Sequence, residues 1–173
     1  TFINLEGTRP ILIEIQALVD KSMLPNPKRL TVGTDAQRLT MLLAILHRHV
    51  TLSTYDQDVF LNAVGGIKIN ETASDLAVLI AIVSSMTNQA VSSKTAIFGE
   101  VGLGGEIRPV SRGQERIKEA SKLGFKRIIV PLKNKASDIP DVEIIGVDNL
   151  RDAVKVVFGS NRVKNDEQIY PDE

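Results

Sequence analysis

Apolar and polar residues follow two different periods along the chain, and the changes of period mark its elements. Leu39, Leu42, Leu43 and Leu46 recur at helical spacing. They predict an amphipathic helix that runs to about His49 with one face on a core. Thr34 or Asp35, just before it, offers a side-chain oxygen for the N-cap. A second helix, over 73–86, has almost no polar face, because Leu76, Ala77, Leu79, Ile80, Ile82 and Val83 run round it. Such a helix must be buried on most sides. A third, over 111–123, is polar and basic and stops at Gly124. A fourth spans 149–158. Runs rich in β-branched and aliphatic residues predict strands at 11–19, 29–32, 95–98, 107–110, 128–130 and 142–147. The stretch 58–69 predicts a strand pair or one bent strand, with Gly65 and Gly66 as its weak point. Strand, helix and strand in succession through 111–123 predict at least one βαβ unit. The whole reads as an α+β or mixed α/β fold.

Composition narrows the class. The 173 residues suit one domain, placed at 1–158, followed by a polar and acidic tail at 159–173 that reads as loose. Hydrophobic residues make up 43% and charged residues 24%, which excludes a disordered chain. No apolar run approaches the ~20 residues of a membrane helix, and the first nine residues lack a signal-peptide pattern. Cysteine is absent, which excludes disulfides, thiolate metal sites and a cysteine nucleophile. Net charge is zero, but the charges are unevenly spread. Between 107 and 135 nine basic residues face only Glu115 and Glu119. From composition alone this is a solvated helix face.

Most chemical motifs fail. Gly99, Gly102, Gly104 and Gly105 lead into strand-like residues ending at Pro109, not into a helix. A dinucleotide loop needs a helix N-terminus there, so a hairpin bend is predicted instead. No Walker A sequence is present. His47 and His49, the only histidines, stand two apart on a helix and point to different faces. They read as helix-end residues near the negative dipole end, and no metal site is expected. Without a histidine in place for a triad, a Ser-Lys pair is the remaining enzymatic possibility.

Several blocks resemble the proteolytic domain of Lon-type proteases. They are Asp-Val-Phe-Leu-Asn-Ala-Val-Gly-Gly at 58–66, the apolar helix through 76–84, Gly-Glu-Val-Gly-Leu-Gly-Gly-Glu-Ile-Arg-Pro-Val at 99–110, and Ile-Ile-Val-Pro at 128–131. The resemblance implies a Lon-type fold, a mixed sheet with packed helices. In that family a serine precedes the apolar helix, and a lysine in the helix after the hairpin takes its proton. Alignment on Ala-Ile-Val-Ser at 81–84 puts Ala73 at the serine position. Alignment on Pro109 and Val110 puts Gln114 at the lysine position. Alanine cannot attack a carbonyl, and glutamine is no base near neutral pH.

A fuller set of blocks resembles the C-terminal Lon-like domain of the RadA (Sms) family of bacterial recombination and repair proteins. It includes Leu-Glu-Gly-Thr-Arg-Pro at 5–10, Glu-Ile-Gln-Ala-Leu-Val at 14–19, the segment 38–49, Asp-Gln-Asp-Val-Phe at 56–60 and Gly-Gln-Glu-Arg-Ile-Lys-Glu-Ala at 113–120. The family's zinc finger and RecA-like ATPase have no counterpart in this sequence, and the start at Thr1 fits a cut before the Lon-like domain. ATP with Mg²⁺, and zinc, are therefore expected only in those other parts, with no cofactor in this chain. The resemblance implies a cytoplasmic bacterial protein without membrane attachment. It implies a hexameric, ATP-driven motor for branch migration in homologous recombination, partnered with RecA and acting on double-stranded or branched DNA. This domain would be its non-catalytic ring scaffold and DNA-backbone surface. Arg9, Arg29, Arg38, Lys68 and Arg108 are then the expected phosphate contacts, with Arg112 and Arg116 beside them. For each arginine a salt bridge is the alternative. Two other readings stay open. One is an active peptidase pairing Ser74 or Ser111 with Lys68 or Lys118. The other is an oligomerisation module that never touches DNA.

Overall fold

The computed structural model describes residues 1–6 and 9–159; the predicted tail, from 160 on, lies outside the described residues. Its strands are β1 (Phe2–Glu6), β2 (Arg9–Ile13), β3 (Ile15–Lys21), β4 (Arg29–Val32), β5 (Gln57–Ala63), β6 (Thr95–Ile97), β7 (Glu100–Val101), β8 (Ile107–Arg108), β9 (Arg127–Pro131) and β10 (Glu143–Val147). Its helices are α1 (Ala36–Val50), α2 (Asp75–Thr87), α3 (Gly113–Lys122) and α4 (Leu150–Phe158). One sheet has the order β10-β9-β6-β1-β2; only β2 is antiparallel to its neighbour. A second sheet, β3-β5-β4, pairs β5 antiparallel to β3 and parallel to β4. β7 and β8 form a separate hairpin. The fold is a mixture of helices and sheets, as the periodicity predicts.

α2 is the hub. It packs on β3, α1, α4 and β7, and every residue from 75 to 80 is buried. That is the burial its all-round apolar pattern demands. α1 is capped by Asp35, whose carboxylate accepts from the Arg38 N–H at 2.6 Å. α4 is capped by Asn149, which accepts from the Asp152 N–H at 2.9 Å. His47 and His49 lie in the last turn of α1. The His49 ring lies against Gly105 in the hairpin bend, where a Cβ would stand 2.8 Å from the imidazole Cγ. Gly105 also has φ of +77°, so the bend needs glycine there on both counts.

Four elements differ from the sequence expectation, the first being β7, which has no predicted counterpart and pairs with β8 across the glycine bend while the 95–98 run joins the larger sheet. The run 11–19 is not one strand but two, broken at Glu14, and its halves enter different sheets. A single apolar run carries no mark of such a switch. The stretch 58–69 gives one strand only. Past Gly65 and Gly66, both at positive φ, the chain leaves the ladder and returns through a hydrogen bond from Ile69 N–H to the Gly33 carbonyl, 2.8 Å. β1 has no counterpart among the predicted strands, although Phe2 and Ile3 are fully buried between β2 and β6. The expected βαβ unit is present: β6 and β9 are parallel, and their crossover carries the hairpin and α3.

Leu79→Asp or Ile80→Asp should abolish cooperative unfolding. Either would place an unpaired carboxylate at a site no more than 2% exposed, at a cost of several kcal/mol against a total stability of about 5–15 kcal/mol. A thermal melt followed by circular dichroism checks this; a sharp transition within a few degrees of the parent's would contradict the central place of α2.

Candidate functional site

The candidate site is the junction at 71–75, where the chain leaves an extended run, makes a 3₁₀ turn (Thr72–Ser74) and enters α2. Each of its five residues is tied to another part of the chain or to its own turn. The Glu71 carboxylate accepts from the Leu5 N–H at 2.9 Å and, through both oxygens, from the Arg116 guanidinium at 2.8 Å. Thr72 Oγ1 donates to Glu100 Oε2 at 2.6 Å. The Ala73 carbonyl accepts from the Gly99 N–H at 2.8 Å. Ser74 Oγ donates to the Glu71 carbonyl at 3.0 Å. Asp75 accepts from Arg38 through both oxygens and from the Val101 N–H at 3.0 Å.

Electrostatics follow from burial. Asp75 is 1% exposed and Arg116 is fully enclosed. Burial pushes the Asp75 carboxyl above the usual carboxylate range, while hydrogen bonds from Arg38 and the Val101 N–H pull the other way. Asp75 in turn raises the Arg38 guanidinium. Arg116 also donates to the carbonyls of Ile3 (2.6 Å) and Ser111 (3.1 Å), and lies 5.8 Å from the centre of the Phe98 ring. A buried guanidinium is tolerable only with its donors and charge so satisfied.

Beside the junction an open groove of about 660 Å³ is lined by Thr34, Arg38, Lys68, Asn70 and Ser74, among others. Its hydroxyls are those of Thr31, Thr34, Thr72 and Ser74, and Thr34 Oγ1 is buried without a hydrogen-bond partner among the described residues. Ala73 is a buried methyl, and the Ser74 hydroxyl is engaged with its own turn. Gln114, expected from the resemblance to stand where a lysine would, donates to the Asn134 carbonyl at 2.6 Å. Asn134 itself bonds the Val110 N–H and carbonyl at 2.8 and 3.1 Å. Gln114 thus holds the start of α3 to the segment after β9. Among the described residues no three His, Asp or Glu side chains gather to hold a metal.

The expected phosphate contacts separate into distinct groups. Arg9, on the edge strand β2, and Lys68 are exposed, with no described carboxylate within ion-pair distance. Arg108 is exposed but paired with Glu106 at 2.8 Å and Glu100 at 3.8 Å. Arg112 pairs with Glu115. Arg29 donates to the carbonyls of Lys28, Gln57 and Thr54 and so anchors the entry to β5. Arg38 is committed to Asp75 and to the Val101 carbonyl. Arg116 is a correction: a fully buried guanidinium cannot meet a phosphate in this fold, and it belongs to the core rather than to a solvated helix face. Sequence reasoning missed Glu71 and Asp75. The available signal was Asp75 itself, a carboxylate opening an otherwise apolar helix, which cannot be buried without a cationic or donor-rich partner.

A family described as subunit ChlI of Mg-chelatase matches residues 40–134, more than half of the sequence. The chain belongs to that family. The matched stretch holds the 71–75 junction, the hairpin and Arg116. The chain is also similar to proteins described as DNA repair protein RadA. It is 56% identical to the one from Pseudomonas aeruginosa over 154 residues, which are 88% of this chain and 34% of that protein. For Escherichia coli the identity is 56% over 152 residues, 87% of this chain and 33% of the relative. For Bacillus subtilis it is 44% over 158 residues, 90% and 34%. The chain spans about a third of the length of these relatives.

Two outcomes test the junction. Arg116→Met strips the partner from Glu71 and should cost about 3–5 kcal/mol, read by urea unfolding; adding Glu71→Gln should recover part of it, because the two residues form one pair. Arg38→Met leaves Asp75 charged and enclosed and should cost a similar amount at neutral pH. That deficit should shrink as the pH falls toward 5. With its folded-state affinity for a proton raised above the unfolded chain's, Asp75 adds stability at low pH and loses it as pH rises. A deficit independent of pH would exclude Asp75 as the cause.

Proposed function

We propose that the chain is a non-catalytic, Lon-type domain of a bacterial DNA repair protein, working as an assembly scaffold and as a sequence-blind contact for the DNA backbone. The observation that carries the non-catalytic part is the junction itself. Ala73, Ser74 and Gln114 present a methyl, an engaged hydroxyl and an engaged amide where a serine–lysine dyad would need a free nucleophile and a base. Similarity to relatives named DNA repair protein RadA supports the repair context. On this reading the whole protein is a cytoplasmic, hexameric motor for branch migration that cooperates with RecA in recombination, and its ATP and zinc sites lie outside this chain. Among the described residues no helix is long and apolar enough to cross a membrane.

Self-assembly has its own support. Across β3-β5-β4, Leu18, Phe60 and Leu30 stand in one register row, with Val32 alongside. Leu18, Leu30 and Val32 are each more than half exposed. A contiguous apolar patch of this kind marks a protein contact, and zero net charge puts no long-range repulsion between copies.

The deciding experiment titrates the chain against a labelled duplex at 50 and 200 mM salt, with its mass followed by light scattering in the same buffers. Binding should weaken steeply with salt. Lys68→Ala with Arg108→Ala should weaken it further and lower the salt slope by about 0.9 per lost contact. Serine-dependent cleavage of a fluorogenic peptide by the same preparation would overturn the non-catalytic reading.

A further inference from the structure

Most arginines and most lysines of this chain have different fates in the fold. Arg29, Arg38, Arg108, Arg112, Arg116 and Arg127 are all engaged with carboxylates or carbonyls. Lys94, Lys118, Lys122, Lys126, Lys133 and Lys135 are all exposed, and none has a described carboxylate within ion-pair distance. The fold also joins these six into one series. Gln114, Lys118 and Lys122 are spaced four apart on α3, so they share a face, with about 6 Å between successive positions. At the start of that face the Gln114 side chain holds the carbonyl of Asn134, the residue between Lys133 and Lys135. At its far end the chain turns at Gly124 and brings Lys126 N–H to the carbonyl of Lys94 at 3.0 Å.

We propose that this lysine ridge, from Lys133 and Lys135 through Lys118 and Lys122 to Lys126 and Lys94, is a phosphate-backbone contact for duplex DNA, separate from the groove beside the 71–75 junction. It rests on the reading of the chain as a DNA-contacting domain. The carboxylates nearest in sequence do not cancel it. Glu115 is paired with Arg112, although Lys118 also lies close enough to act on it, and Glu143 is paired with Arg127; Glu119 and Asp138 make no ion pair among the described residues, so six ammonium groups outnumber these two free carboxylates. Each duplex strand carries a phosphate about every 3.4 Å of axis, so lysines about 6 Å apart on long stems can reach successive or alternate phosphates. Lysine suits the task, because a point charge on a flexible stem neutralises phosphate without fixing a planar geometry. Such contacts position the protein without reading bases.

The test measures fluorescence anisotropy on two duplexes of unrelated sequence, between 50 and 200 mM salt. It compares the parent chain with two variants. The ridge variant carries Lys118→Gln, Lys122→Gln and Lys126→Gln. The second is the double variant Lys68→Ala with Arg108→Ala, which leaves the ridge intact. The ridge variant should bind both duplexes at least about tenfold more weakly at 50 mM salt, with a salt slope shallower by about 0.9 per lysine lost. A companion carrying Lys118→Arg, Lys122→Arg and Lys126→Arg keeps the charge and should bind like the parent, which separates lost charge from misfolding. Loss in the glutamine variant with rescue in the arginine variant establishes the ridge, whether or not the double variant also weakens. Parent-like binding by the glutamine variant overturns the ridge, and weakening by the double variant in that case leaves the DNA reading standing. No binding by the parent chain at 50 mM salt overturns both.

Discussion

The structure depends on one enclosed ion pair. Arg116 reaches from α3 to Glu71 at the mouth of α2, and on the way bonds the Ile3 carbonyl of β1. Three elements distant in sequence are thereby set against each other. Removal of Glu71 alone would leave the Arg116 charge and its donors in a medium that cannot solvate them. The direction of dependence is clear from exposure: Arg116 has no access to water, whereas Glu71 keeps about a quarter of its side-chain surface. The arginine therefore needs the carboxylate more than the carboxylate needs the arginine.

Arg38 and Asp75 repeat the arrangement on the other side of the same turn. Between the two pairs lie Thr72, Ala73 and Ser74, held by Glu100, Gly99 and the turn itself. A working serine–lysine dyad would need a hydroxyl free to lose its proton and a lysine made neutral by desolvation. This junction uses its burial on charges that are paired, and neither Ala73 nor, on α3, Gln114 carries a group to titrate. These bonds tie the turn to the rest of the fold, and an open groove lies beside it.

Much of the architecture was legible in the sequence because it rests on periodicity. α1 and α2 are set by leucine spacing and by an apolar run too long to expose, and the hairpin follows from glycines that lead into a strand. What stayed hidden depends on partners far along the chain. β1 carries only a short alternation, Ile3-Asn4-Leu5-Glu6 before Gly7, too brief to mark a strand without β2 and β6 on either side of it. The break at Glu14 is a change of sheet, which a single run of aliphatic residues does not record. Of the site, Ala73 and Gln114 stood out through the resemblance alone. Whether an arginine faces water or a buried carboxylate could not be read from the sequence, since Arg112 and Arg116, one turn apart on or beside the same helix, end as a surface pair and a core residue.

That last contrast explains why counting basic residues misleads. The stretch 107–135 carries nine positive charges, yet its arginines are drawn into pairs and carbonyl contacts, because a planar guanidinium with five donors can satisfy several carbonyls and a carboxylate at once. The lysines cannot do this with a single ammonium on a long stem, and they remain at the surface. Sorting by side-chain chemistry thus sets the fixed, paired charges apart from the free ones. A surface of free ammonium groups is what a sequence-blind phosphate contact requires, because its binding energy comes from counterions released rather than from a fixed geometry.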